Sequence, residues 1–327
     1  MITLRLKANR PEDCERAAAL LRQGALVAVP TETVYGLAAD ARQPTAVNAI
    51  FQAKDRPRSH PLIVHLHDRE EMQRWASIIP LEARVLAKAF WPGPLTLLLH
   101  KSPGVNRVVT GGLDTIALRV PDHPVLLPLI KRLGTGLAAP SANLHKQLSP
   151  TSAEQVHKQL DGRIAAVLDG GPCRVGLEST IVDLTAGPPR ILRSGPVSRQ
   201  EIEAVLQMQV ELPQTHQVAV PGNMQQHYQP HTPLYVLSAE TLTARARTPG
   251  RWAILTHIPA TAEIAGADGN PGQIMPADKA GYARELYGAL FQMDQAQPDA
   301  ILLERPPQSE QWHDVNDRLQ KAATFIE

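Results

Sequence analysis

Over residues 11–208, segments with a helical apolar period alternate with short apolar runs bounded by turn residues, and this alternation constrains the fold more than any other feature. Helices are predicted at about 11–23, 44–54, 80–90, 124–133 and 198–208. Strands are predicted in ALVAV (25–29), PLIVHL, LTLLL, TIALRV, GLAAP and AAVLD. STIVDL and PRILR, joined by the turn residues AGP, read as two antiparallel strands. Hairpins therefore accompany crossovers. The expectation is an α/β (mixed α+β) fold on an open mixed sheet with helices, not a purely doubly wound one. This first domain spans residues 1–208. The pattern then collapses into PQTHQVAVPGNMQQHYQPHTPL, which reads as a linker over 209–233 with no apolar period of its own. Strand-like LYVLS, RWAILT and DAILLE follow, with helical stretches at about 277–293 and 314–325, and predict a smaller α/β domain over 234–327. A length of 327 residues suits two domains.

Charge excludes several classes of function. With 33 basic and 32 acidic residues the net charge is +1, so no global field draws the chain onto nucleic acid or an anionic membrane, and stable nucleic-acid binding is not expected. Cys14 and Cys173 lie far apart and outside any CxxC, which supports neither a disulfide framework nor a cysteine zinc site and fits a reducing cytoplasm. The N-terminal stretch carries no cleavage signature, and the apolar runs are far below membrane-spanning length. A cytoplasmic, unexported protein is expected.

Several blocks carry groups suited to binding. In VPTETVYGLAAD a buried-looking strand runs into Thr31, Thr33, Tyr35 and Gly36, a donor-rich loop that is equally well an ordinary turn with local hydroxyl bonds. In AKDRPRSHPLIVHLH, Pro57 favours an extended Arg56, so that Lys54 and Arg56 point the same way as a phosphate clamp; a solvated basic turn is the plainer alternative. His60, His65 and His67 invite a metal reading, but no third ligand sits at suitable spacing, and no protein metal site is expected. TIALRVPDHP alternates to put Thr115, Ala117 and Arg119 on one face, and an arginine closing an apolar strand needs an anion, either a ligand carboxylate or a structural Asp or Glu. In GTGLAAPSANLHKQLSPTS a GxGxxA pattern mimics a dinucleotide fingerprint, but it follows a helix and Pro140 interrupts what should be the next one. Ser141, Asn143 and Ser149 remain there as partners for phosphate or ribose. GLESTIVDL and RILRSG add Ser179, Thr180 and Arg193 near the ends of two neighbouring strands, and no Walker A sequence occurs.

Taken in order, PTETVYGL, KDRP with HPLIVH, WPGPLT, IALRVPDH, APSAN, ESTIVD and ILRSG resemble the YrdC-like domain over nearly all of residues 10–200. PGNMQQHYQP and NDRLQKAA add a likeness to the long, two-domain form of the threonylcarbamoyl-AMP synthase family. That resemblance implies a twisted mixed sheet with a basic cavity, and synthesis of threonylcarbamoyl-AMP and pyrophosphate from ATP, L-threonine and bicarbonate for tRNA modification. Other proteins then transfer the threonylcarbamoyl group. It implies Lys54 and Arg56 as catalytic residues, and Thr33, His65, Arg119, Ser141 and Ser179 for threonine. For ATP it implies Arg56, His60, Thr115, the backbone at Ala139, Ser141, Asn143, Ser149, Arg193 and the linker residue Tyr228. Mg2+ is implied with the ATP phosphates, without a dedicated protein cage. The linker departs from the family pattern PGMKYRHY: Asn223, Met224, Gln225, Gln226 and His227 stand between Gly222 and Tyr228, so two cations are missing. The competing readings are a non-enzymatic RNA-binding module, which the charge disfavours, and a hydrogenase-maturation carbamoyl transferase, whose zinc-finger cysteines are missing.

Overall fold

The computed structural model describes residues 2–222, 226–266 and 269–327. It divides into two compact units, one of Met1–His145, Pro150–Arg174 and Glu178–Asn223, the other of Lys146–Ser149, Val175–Leu177 and Met224–Glu327.

The first unit is built on one eleven-stranded sheet. In chain order its strands are β1 (Leu4–Lys7), β2 (Val27–Val29), β3 (Gly36–Asp40), β4 (Ile63–His65), β5 (Ala76–Ile78), β6 (Leu95–Lys101), β7 (Thr115–Arg119), β8 (Leu137–Ala138), β9 (Ala166–Asp169), β10 (Thr180–Asp183) and β11 (Arg190–Arg193). Their spatial order is β1-β9-β2-β3-β8-β4-β7-β6-β10-β11, with β5 added to β6. The sheet is mixed, as the sequence implies: β4 with β7 and β6 with β10 are parallel, whereas β2 with β3, β6 with β7 and β10 with β11 are antiparallel. Helices cover it, and the largest buried cluster joins Val47, Ile50 and Phe51 of the helix Pro44–Lys54 to Leu97, Leu99 and Leu118 of the strands.

Two local departures from the sequence expectation bear on function. The segment after Tyr35, for which the sequence predicts no element, is strand β3, whose Ala-rich sequence has weak strand propensity and is held by pairing with β2 and β8. Lys54 and Arg56 do not lie on one extended strand. Lys54 is the last residue of its helix, and Asp55 turns the chain through the left-handed region (φ 53°) before Arg56.

The stretch expected to be an unpacked linker packs at several of its described residues, while others remain exposed. Val210 and Val220 are buried in apolar clusters of the first unit, and Glu211 pairs with the β11 backbone. Tyr228 is buried in the second unit. Asn223, Met224 and Gln225, part of the departure from the family pattern, lie outside the described residues.

The second unit has a five-stranded parallel sheet of β12 (Leu234–Leu237), β13 (Trp252–Thr256), β14 (Gly272–Ile274), β15 (Ala300–Glu304) and β16 (Phe325–Ile326), in the order β14-β13-β15-β12-β16. Its helices include Ala239–Ala246, Lys279–Gln295 and His313–Ala322, the first two started by side-chain caps from Ser238 and Asp278. No described helix is long and apolar enough to cross a membrane.

Candidate functional site

Arg119 is the hub of the first unit's polar interior. It ends β7, is 3% exposed, and stands beside His65 of β4 in the sheet register. Its Nε donates to the Gly93 carbonyl at 3.2 Å, its Nη1 to Thr33 Oγ1 at 3.1 Å, and its Nη2 to Glu32 Oε1. Gly93 can serve because it lacks a side chain: a Cβ there would come within 2.2 Å of the Phe90 carbonyl oxygen. The anion that the sequence reading requires for Arg119 is thus supplied in part by Glu32, a residue that reading passes over. Three of the five guanidinium N–H donors are engaged inside the unit, which leaves two for a ligand among the described residues.

Local bonds account for the rest of the loop. Thr31 Oγ1 accepts from the amides of Thr33 and Val34 and donates to the Val34 carbonyl, the ordinary hydroxyl turn. Tyr35 donates to Gly171 O at 2.7 Å and is structural. His65 is 3% exposed, and its Nδ1 has no partner. Burial first, then the Arg119 charge, push its pKa down to about 3, so the ring is neutral at ordinary pH.

The PTETVYG and APSAN blocks meet through the backbone. Leu37 N donates to Pro140 O and Ala142 N to Tyr35 O, and Gly36 bridges Ser141. Lys54 closes this arrangement from below. It is 1% exposed, and its ammonium donates to the carbonyls of both Ser141 and Asn143. Burial, then repulsion from Arg56, hold its pKa well below the usual lysine value. Lys54 is therefore an anchor for the Ser141–Asn143 loop, whereas the clamp reading gives it a phosphate. Arg56 is half-buried, donates from Nη2 to the Pro61 carbonyl at 3.1 Å, and lies near His60, whose pKa is lowered by burial and by that guanidinium. His60 also packs edge-on to His145.

On the other side of β6, Ser179 Oγ shares a hydrogen bond with Thr96 Oγ1 at 2.7 Å and accepts from Arg193 Nη2 at 3.0 Å. Arg193, 5% exposed, also donates to the carbonyls of Ser179 and Pro221. Thr96 precedes Leu97, which pairs with Leu118 of β7, so Thr96 and Arg119 lie on neighbouring strands, with Arg193 two strands beyond β6 on β11.

Not every expected site residue joins this group. Thr115 begins β7 and Arg119 ends it, about 13 Å apart at strand rise. The Ala139 amide is taken by the Ile63 carbonyl. Ser149 and Tyr228 belong to the second unit. There Tyr228 is 1% exposed, takes a left-handed φ of 60°, packs on Tyr287 with ring centroids 5.8 Å apart, and lies 5.3 Å beneath the Arg318 guanidinium. His67 pairs with Glu71 at 3.0 Å, and among the described residues no cluster of His, Cys, Asp or Glu could hold a metal ion. Glu32, Gly93 and Thr96 are the participants missed from sequence. Each lies inside or beside a quoted block, but nothing in a linear pattern says that a loop glutamate folds back onto an arginine 87 residues later.

Residues 19–195 match the family described as "Telomere recombination", and residues 197–324 match the family described as "Threonylcarbamoyl-AMP synthase, C-terminal domain". The threonylcarbamoyl-AMP synthase of Pyrococcus abyssi is 40% identical, over 94% of this chain and 93% of its own length. That of Bacillus subtilis is 39% identical, over 98% of this chain and 96% of its own. Among solved structures, P. abyssi Sua5 complexed with L-threonine superimposes with a TM-score of 0.90 at 36% identity, covering 100% of this chain and 99% of the other.

Proposed function

The chain belongs to the two-domain threonylcarbamoyl-AMP synthase family and catalyses that synthesis, and from this premise we propose how its substrates are held. L-Threonine takes the Arg119 end of the first unit, with its carboxylate on the two unused guanidinium donors and its side chain toward Thr33, His65 and Ser179. The observation that carries this is the buried Arg119 fork, fixed by three internal bonds and with two guanidinium donors still unused among the described residues. The relative solved with L-threonine supports the choice of amino acid.

ATP and bicarbonate are the other substrates in this reading. Arg56 and Arg193 suit the triphosphate, and Ser141 and Asn143, on the loop that Lys54 fixes, suit phosphate or ribose. His60, Thr115 and Ala139 line the nucleotide's path, and Ser149 and Tyr228 are assigned to ATP by family likeness. Mg2+ bound with the ATP phosphates would offset part of their charge, with Arg56 and Arg193 as the chain's own cations beside them. Carboxylated threonine is a poor nucleophile. The chain's contribution is to align it with the α-phosphate and to neutralise departing pyrophosphate, and no side-chain nucleophile is required. Residues 1–208 are the catalytic part in this scheme.

The test is pyrophosphate release from ATP with each co-substrate omitted in turn. Release should require both L-threonine and bicarbonate, and equal release from ATP alone would remove the substrate assignment.

A further inference from the structure

Among the described residues Glu32 is the one carboxylate paired with Arg119, and half of it is unused. The residue is 1% exposed; Oε1 accepts from Arg119, and Oε2, also buried, has no hydrogen-bond partner among the described residues. A buried carboxyl oxygen without a partner is costly, and a donor that arrives with the substrate would satisfy it. The neighbouring groups do not satisfy it. Thr33 Oγ1 is shared between Thr31 and Arg119, and the Cys173 thiol, kept protonated mainly by burial, is a weak donor that makes no hydrogen bond to Oε2. The pair as a whole offers an unused anionic oxygen on one member and unused donors on the other. That is the complement of an α-amino acid zwitterion.

We propose that Glu32 Oε2 receives the ammonium of the amino-acid substrate while Arg119 holds its carboxylate, and that Glu32 then takes the proton that must leave before the nitrogen is carboxylated. This rests on the substrates proposed above. The ammonium gives one proton to Oε2. The nitrogen lone pair then forms the N–C bond to the bicarbonate carbon, and the carbon's hydroxyl leaves as water with a second nitrogen proton. One net proton remains on Glu32, to be returned to solvent, and the carbamate keeps the negative charge. No oxidant or further reactant is needed. His65 is the poorer candidate, because burial and the adjacent Arg119 charge both oppose a second cation on its ring, whereas a proton on Glu32 neutralises a charge.

The experiment compares the two directions of the reaction in the full-length chain carrying Glu32→Gln. The amide keeps an oxygen for Arg119 but cannot take a proton from an ammonium. Forward synthesis from threonine, bicarbonate and ATP should fall by roughly 100-fold or more at neutral pH, and recover as rising pH supplies the free amine. ATP formation from threonylcarbamoyl-AMP and pyrophosphate bypasses the ammonium and should fall far less. Equal losses in both directions, or a forward rate with the wild-type pH profile, would overturn the proposal and leave Glu32 as a structural partner of Arg119. Should Glu32→Gln fail to fold, Glu32→Asp, which keeps the carboxylate but withdraws it, must show the same split between directions. Wild-type chain that makes no threonylcarbamoyl-AMP would fail the substrate assignment instead, and the two failures are distinct.

Discussion

Lys54 and Arg56 are two positions apart in sequence, yet their side chains have different work. The Lys54 ammonium is spent on two loop carbonyls, so Lys54→Met leaves two buried acceptors unpaired and should lower stability by about 2–4 kcal/mol, read by denaturant titration, with activity falling as the loop loosens. Arg56→Ala, at a half-buried position, should barely change the melting temperature while pyrophosphate release drops roughly 10- to 150-fold, as expected for losing a charged contact of about 1.5–3 kcal/mol. A variant that unfolds, or keeps full activity, would make Arg56 a structural residue. His65 gives the pH counterpart. Its folded pKa of about 3 lies below the unfolded value, so between the two the unfolded chain binds the extra proton and stability falls as pH drops. The contribution is on the order of 4 kcal/mol over that window. His65→Asn should flatten the loss of melting temperature between pH 6.5 and pH 4, and an unchanged acid slope would show that other groups dominate. The residues of the site were legible by type, since an arginine closing an apolar strand has to meet an anion. Which anion was not legible, because Glu32 reaches Arg119 only after β2, β3 and β7 have assembled.

Elements were legible where burial writes itself into composition. β6 and β7 are apolar runs inside the sheet, and the β10–β11 pair announces itself by its turn residues. β3 and β14 were not, because the Gly- and Ala-rich sequence of the one and the short Gly-Gln-Ile of the other are strands only by virtue of their neighbours. The segment around Tyr228 fails for a related reason. It has no period because it does not form an element; a single aromatic is instead seated among Tyr287, His227 and Arg318 of the second unit. Tyr228→Ala should therefore destabilise the second unit by about 3 kcal/mol, seen as an earlier unfolding transition in the full-length chain. Phenylalanine in its place should restore most of that stability. An unaltered transition in Tyr228→Ala would mean that this packing contributes nothing and that the residue serves the nucleotide alone.

At the scale of the molecule, the fading of periodicity near residue 208 suggests a cut there, and the packing gives a reason to cut later. Residues beyond 208 extend the edge of the first unit's sheet: Ile191 N donates to Glu211 O, Glu211 N donates to Pro189 O, and His216 Nε2 bonds the Leu192 carbonyl at 2.9 Å. Val210 and Val220 bury their side chains on the same unit, and Pro221 accepts from Arg193. A chain ending at 208 exposes the β11 edge and loses both valines, worth roughly 3–5 kcal/mol together at the usual value for a buried aliphatic side chain. It also frees one donor of Arg193, a residue proposed for ATP. A chain ending at 222 keeps all of these contacts. Denaturant unfolding of the two truncated chains should then place the shorter one several kcal/mol below the longer, with the shorter more prone to associate through its uncovered edge. Threonine binding, proposed for Arg119, Thr33 and Ser179, should survive in the longer chain. Equal stability of the two would show that residues 209–222 cover the sheet without holding it, and that the boundary read from the sequence pattern is also the energetic one.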